Sequence, residues 1–277
     1  MIKLLNAGFT RLKKDMLFLL LITFTIGLSC FMIYIQWSEM TRFNSTVELD
    51  QLYLNNVTFI GIIVAIFTSL IIGREYSDGT LRNKIIIGAS RHNIYLSNLI
   101  IVAIVSILAQ ILYLVIISIM GIPIFGGLQM PLKSFGLIIF CLIAMIIAFA
   151  SIFTFISMII ANKTASAVSS ILFAFGLMML SLTIISRFEA PEYYDTVKIT
   201  NNETQEYEIV KVKNPKYLTE EQRKIYKHIL KFIPSGQAFL IAGRLDTNIY
   251  TLPLYSLGVI VVFTISGIII FNKKELK

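Results

Sequence analysis

Residues Gly73–Asn98 read GREYSDGTLRNKIIIGASRHNIYLSN. Four basic side chains (Arg74, Arg82, Lys84, Arg91) and two acidic ones (Glu75, Asp78) stand here between two apolar runs. The flanking runs, Val57–Gly73 and Tyr95–Met120, contain no Asp, Glu, Lys or Arg. A helix needs about 20 apolar residues, with a range of about 17–25, to cross the hydrocarbon core of a bilayer. The stretch therefore reads as a charged connection between two spanning helices.

The rest of the chain repeats the pattern. Charge-free runs also occupy Met16–Gln36, Ser134–Ile160, Ser166–Ser186 and Leu252–Phe271, and the run before Gly73 extends back to Leu52. Six spans follow, at 16–36, 52–73, 95–120, 134–160, 166–186 and 252–271. The 277 residues are 56% hydrophobic with mean hydropathy +0.79, above the roughly 45–50% apolar content of soluble domains. Met16–Gln36 reads as a retained span, because its core is longer than a signal core and no small-x-small cleavage site precedes Trp37.

Orientation follows from lysine and arginine in the short loops. Lys3, Arg11, Lys13, Lys14, Arg74, Arg82, Lys84, Arg91, Lys163, Lys273, Lys274 and Lys277 fall on one side, against Arg42 and Lys133 on the other. The first side is expected to be cytoplasmic, with both termini there. The net charge of +8 is thus mostly a topology signal, and no clustered basic surface argues for nucleic acid. Residues 1–15 form an amphipathic interfacial helix, with Ile2, Leu5, Phe9 and Leu12 at three- and four-residue spacing and basic residues toward lipid headgroups. Met120–Lys133, rich in proline and glycine, reads as a tight outer turn. The long connection 187–251 reads as a small α+β region on the outer side. A hairpin is expected from Thr196–Thr200 and Tyr207–Val212 around NNETQE. A capping box at Thr219–Gln222 opens a helix to about Phe232, ended by Pro234 and Gly236. A short surface helix follows over Gln237–Gly243.

Several functions are disfavoured. Ion-coupled transporters usually place an acid, base or histidine inside the membrane, and these spans contain none. The six prolines sit outside the spans or at their ends, so broken helices have little support. Asn98 and Gln110 are the main polar residues of the third span, read as interhelical hydrogen bonding or as a possible substrate path. Cys30 and Cys141 lie within spans, so neither a disulfide nor a metal site is expected. No Gly-x-Ser-x-Gly, His-Glu-x-x-His or Gly-x-x-x-x-Gly-Lys-Ser/Thr motif is present. The chain itself is therefore read as neither enzyme nor ATPase, and no cofactor is expected in it.

The opening stretch carries its own local logic. Ser77 or Asp78 is expected to cap a short helix beginning at Thr80. Gly88 can end that helix in a left-handed conformation, and Ser90 can cap the third span. Leu81 and Ile85, four apart, share one face. A short helix held at both ends within 74–94 would pass a push to the two spans it joins.

These residues resemble the first cytoplasmic loop of permease subunits of ABC exporters of the ABC-2 type. The family's Glu…Gly signature is matched by Glu75 and Gly79. Its Glu-Tyr-x-x-Gly-Thr-Leu-Arg pattern is matched by Glu75–Arg82, with Ser90-Arg91 following. Asn214–Gly243 also looks like members from Gram-positive bacteria, many of which give immunity to bacteriocins or bacitracin-like peptides. The resemblance implies an all-α membrane protein with six spans in a bacterial plasma membrane. It implies a second permease copy, identical or related, and two cytosolic ABC ATPase subunits that carry ATP-Mg. It implies that Glu75, Asp78 and Gly79 shape a coupling loop, that Arg82 and Arg91 contact the ATPase or lipid, and that Leu81 and Ile85 supply its apolar face. The expected substrate is amphipathic: an antimicrobial peptide, a drug or a lipid. The alternatives are an ATP-independent secondary transporter or channel, and a membrane peptide sensor or scaffold.

Overall fold

The computed structural model describes residues 1–44, 46–201, 206–243 and 248–274. The tip of the expected hairpin turn and Lys277 lie outside the described residues. Among the described residues, six helices are long and apolar enough to cross a membrane. A short N-terminal helix, α1 (Ile2–Lys13), precedes α2 (Met16–Phe43). The second span is composite: α3 (Leu49–Asn55), a 3-10 turn at Val57–Phe59, then α4 (Ile60–Ser77). Next come the short α5 (Thr80–Ile86) and the long α6 (Arg91–Phe125), α7 (Leu132–Ile159) and α8 (Lys163–Phe188). The connection to the last span holds strands β1 (Tyr193–Asn201) and β2 (Glu206–Lys213), then α9 (Glu220–Phe232) and α10 (Pro234–Ala242). The last span is α11 (Leu252–Lys273).

The spans outrun the apolar cores that mark them, because helices continue past the membrane-matched run. Pro123 consequently lies inside α6. Lacking an N–H, it leaves the Ile119 carbonyl without its helical donor, and the helix ends two residues later at Phe125. Only 126–131 remains as the turn, opened by Gly126 at φ +89°. Asp50, on α3, holds that turn: its carboxylate accepts from the backbone N–H of Gln129 (3.0 Å) and Met130 (2.8 Å).

α4 is the most enclosed span. Gly61, Ala65, Ser69 and Gly73 repeat at four-residue spacing along it and let α7 and α8 approach closely. A Cβ on Gly61 would stand 2.7 Å from the Phe149 ring, and one on Gly73 would stand 2.9 Å from the Lys163 backbone. α8 answers with buried Ser166, Ser170 and Ala174. α2, α8 and α11 are buried along one stripe only, and their remaining faces are apolar and exposed.

The apolar face of α1 packs on the bundle: Leu5, Phe9 and Leu12 lie against Leu21, Phe67 and Ile101, while Ile2 stays exposed. One expectation is corrected: the helix after α9 is not a surface helix. Pro234 opens it at the first helical position, as its fixed φ favours, and α10 is buried among α7, α8 and α9. Gln237, fully buried, accepts from Ser256 (2.7 Å) and donates to the Lys231 carbonyl (2.7 Å). The capping box at Thr219 and Gln222 is present. The hairpin starts earlier than expected, with Tyr193 opposite Lys213.

The corner between α9 and α10 is tight. A Cβ on Gly236 would stand 2.3 Å from the Leu230 carbonyl oxygen, a backbone atom that cannot swing aside. Gly236→Ala is expected to destabilise by about 1–3 kcal/mol through overpacking. Gly258→Ala on open α11 surface should leave the thermal unfolding midpoint in detergent unchanged or slightly raised.

Candidate functional site

The site is the corner from Arg74 to Asn98. α4 ends at Ser77, with Asp78 at its C-cap, and Gly79 turns the chain at φ +65° into α5. A side chain would strain this left-handed turn, which is the reason for glycine here. At the far end Gly88 takes φ +92°. Gly88 N–H bonds the Ile85 carbonyl (2.9 Å) and Ala89 N–H bonds the Lys84 carbonyl (3.0 Å). This double closure is the Schellman pattern. The Ser90 hydroxyl then accepts from Asn93 N–H at 3.3 Å, capping α6.

The expected helix cap at Ser77 or Asp78 does not form. Ser77 Oγ donates to the Arg74 carbonyl within α4. Gly79 occupies the N-cap of α5 without a side-chain bond. Asp78 instead receives Arg11 of α1 at 3.1 Å.

Glu75 lies beneath this corner, buried. One carboxylate oxygen accepts from Lys84 Nζ of α5 at 2.6 Å, and the other from Asn98 Nδ2 of α6 at 2.9 Å. Arg11 approaches to 3.7 Å. One side chain thus links α4, α5 and α6 and draws in α1. Thr80 Oγ adds a bond back to the Glu75 carbonyl (3.0 Å) and accepts from Arg11 (3.2 Å). Asp15, which caps α2 through Leu17 N–H, also receives Arg74. Asn98 is therefore part of this corner, with Met158 Sδ 3.7 Å away. Gln110 pairs with Asn56 far along α6.

A second set of cations ties in the last span. The Arg91 guanidinium donates to the carbonyls of Phe271 (3.1 Å), Asn272 (3.2 Å) and Lys274. Lys274 Nζ donates to the carbonyls of Met158 (3.0 Å) and Ile159 (2.7 Å) at the end of α7. It also lies 4.6 Å above the Tyr76 ring. Cations at helix C-termini satisfy orphan carbonyls and oppose the helix dipole. Burial nonetheless holds Lys274 below the ordinary lysine pKa.

The faces of α5 are decisive. Leu81, 1% exposed, is buried in the main core and Ile85 packs against it. The apolar face formed by Leu81 and Ile85 is turned into this chain. Ile86 and Ile87 point outward, 73% and 86% exposed, beside exposed Arg82. Arg91 is engaged by the last span, which leaves Arg82 as the outward guanidinium of the two expected. Three consecutive isoleucines on a helix cannot share one face, so composition alone left their division unassigned. From sequence, Arg11, Lys84 and Lys274 had only a topology role and Tyr76 none; the partners of Arg11, Tyr76 and Lys274 are distant in sequence, and Lys84 meets Glu75 across the Gly79 turn.

A corner of this kind holds no reacting group. Among the described residues, no three His, Cys, Asp or Glu side chains are grouped to hold a metal. What the geometry defines is a six-span membrane protein whose basic end is welded into one mechanical unit. The sequence places it further. Residues 4–181 match the model of the ABC-2 family transporter protein, and the chain belongs to that family. It is a permease component of an ABC transporter, a transport subunit and not a catalytic one, and membership implies association with an ABC ATPase. No curated protein matches the chain.

The Glu75 pair is testable. Removing one member of a buried ion pair strands the other, at a cost of about 3–5 kcal/mol. Glu75→Ala should lower thermal stability on that order, and Glu75→Gln combined with Lys84→Met should recover most of it. A double variant no better than Glu75→Ala would remove charge pairing as the reason for the acid.

Proposed function

We propose that the chain is the membrane half of an ATP-driven exporter in a bacterial plasma membrane. Two permease copies would pair, and two cytosolic ATPase subunits carrying ATP-Mg would dock beneath them, with both chain termini cytoplasmic. The supporting observation is α5. It is glycine-turned at both ends and anchored through Glu75, yet it directs Ile86, Ile87 and Arg82 outward. Seated in a cleft of the ATPase, it would pass closure of the ATPases to α4 and α6 directly. The same movement would reach α1 through Arg11, and α7 and α11 through Arg91 and Lys274. A conformational change driven this way needs only that ATP-bound partners favour one arrangement over the other. Apolar, charge-free spans favour an amphipathic substrate: an antimicrobial peptide, a drug or a lipid.

The test is affinity purification from mild detergent. Wild-type chain should bring down a soluble protein carrying Gly-x-x-x-x-Gly-Lys-Ser/Thr. Ile86→Glu with Ile87→Glu should abolish that association while leaving the melting temperature unchanged. Leu81→Ala should instead cost stability, on the order of 2–5 kcal/mol for a buried leucine. Purification of the chain alone, with substrate still crossing vesicles without ATP, would overturn the proposal.

A further inference from the structure

Two adjoining volumes lie on α2 and α4, away from the corner. The first is a groove of about 490 Å³ open to the outside of the bundle. Its wall runs from Leu17 past Phe24 to Met32 on α2 and includes Ile62, Ile66 and Leu70 on α4. The fifteen steps from Leu17 to Met32 make it about 22 Å long at about 1.5 Å per residue, within a hydrocarbon core of about 30 Å. The second is a more enclosed chamber of about 30 Å³, lined by Thr25, Asn56, Ser106, Gln110 and Tyr113. Leu21, Leu28, Ile63 and Phe67 line both volumes. The chamber is therefore the polar back of an apolar groove.

The chamber has unused hydrogen-bonding capacity. Thr25 Oγ donates to the Leu21 carbonyl and Tyr113 Oη to the Leu52 carbonyl, so both are satisfied. Asn56 and Gln110 bond each other, Nδ2 to Oε1 at 2.8 Å and Nε2 to Oδ1 at 3.4 Å. Each amide carries two N–H donors, so one remains on each. Ser106 Oγ is buried, 7% exposed as a residue, and has no partner. Helical hydroxyls elsewhere in the bundle turn back onto the preceding turn, as Ser29, Ser118 and Ser181 do. Ser106 does not. The other unpartnered buried hydroxyls, such as Thr68 and Ser170, line neither volume.

We infer that this is a binding site for an uncharged amphiphile drawn from the bilayer: an alkyl body in the groove and one acceptor oxygen, amide or hydroxyl, in the chamber. The spare donors of Asn56, Gln110 and Ser106 call for an oxygen acceptor. No charged side chain lines either volume, so a phosphate or carboxylate head would be buried without a counter-charge, which is strongly unfavourable. The chamber exceeds the roughly 10–15 Å³ needed for one water, which suits a single small polar group and excludes a bulky head. Cast as the place where substrate is loaded, the site rests on the transport reading above. As a binding site it does not.

The experiment uses the full chain in phosphatidylcholine nanodiscs and three photoprobes of equal chain length, each with a mid-chain diazirine. One ends in a primary amide, one in a sulfonate and one is the plain alkane. Mass spectrometry maps labelled residues. The amide probe is expected to label Phe24, Ile63 and Phe67 about five-fold more than either twin, the size of one net hydrogen bond. Ser106→Ala removes a hydroxyl with no partner, so folding should be intact, and it should bring amide labelling down to the alkane level. Equal labelling by all three probes, or labelling indifferent to Ser106→Ala, would mean ordinary annular lipid and overturn the site. The readout needs no ATPase. Labelling without ATPase association would sink the transport reading and keep the site; association without selective labelling would do the reverse.

Discussion

The fold turns on one carboxylate. Glu75 is placed where α4 leaves the bundle, and burying an ionised acid there is costly unless its oxygens are filled. Lys84 and Asn98 fill one each. Those partners come from α5 and α6, so the acid is satisfied only when the chain reverses at Gly79 and again at Gly88. The charge thereby selects the path of the backbone around it. An apolar residue could pack in the same place but would be indifferent to which helix covered it. Buried ion pairs contribute little net stability as a rule. Here the acid ties three helices together.

The corner and the spans are built from different materials. At the basic end, charged side chains and backbone carbonyls lock α1, α4, α5, α6, α7 and α11 together at hydrogen-bond distances. Inside the bundle the contacts are small residues and hydroxyls, as along Gly61–Gly73 of α4 and Ser166–Ala174 of α8. Packed interfaces tend to have discrete arrangements and resist continuous deformation. An end locked by charge, joined to closely packed helical faces, suits spans that move between a few packed arrangements.

How far the sequence could be read follows the same division. The six apolar runs were legible because hydropathy and length act locally. So were Gly88, Ser90 and the capping box at Thr219, each set by a few neighbouring residues. The mistakes were about faces and partners. Leu81 and Ile85 were recognised as one stripe, but whether a stripe faces its own bundle or a stranger depends on how α4 and α6 pack around it. Asp78 has the right chemistry for a cap and was claimed by Arg11, 67 residues earlier in the chain. Pro123 looked like a boundary, although the helix runs two residues beyond it to Phe125. Gln110 was noticed for polarity alone; its partner Asn56 and the unpaired Ser106 became meaningful only once the packing put them in one chamber.

That chamber and the corner solve opposite problems with opposite chemistry. The corner must hold one geometry against force, and charge suits it because a misaligned ion pair is heavily penalised. A place that receives a molecule from lipid must also release it. Formal charges there would hold a complementary head too firmly and reject all others, whereas neutral amides and a hydroxyl offer net bonds of only about 0.5–1.5 kcal/mol each. Sensitivity to the state of the bundle then comes from geometry. Asn56 sits beside the 3-10 turn that breaks the second span, and Tyr113 reaches the Leu52 carbonyl just before it. Below that turn, α4 runs unbroken to Glu75. One continuous helix thus joins the charged corner to the irregular backbone beside the chamber.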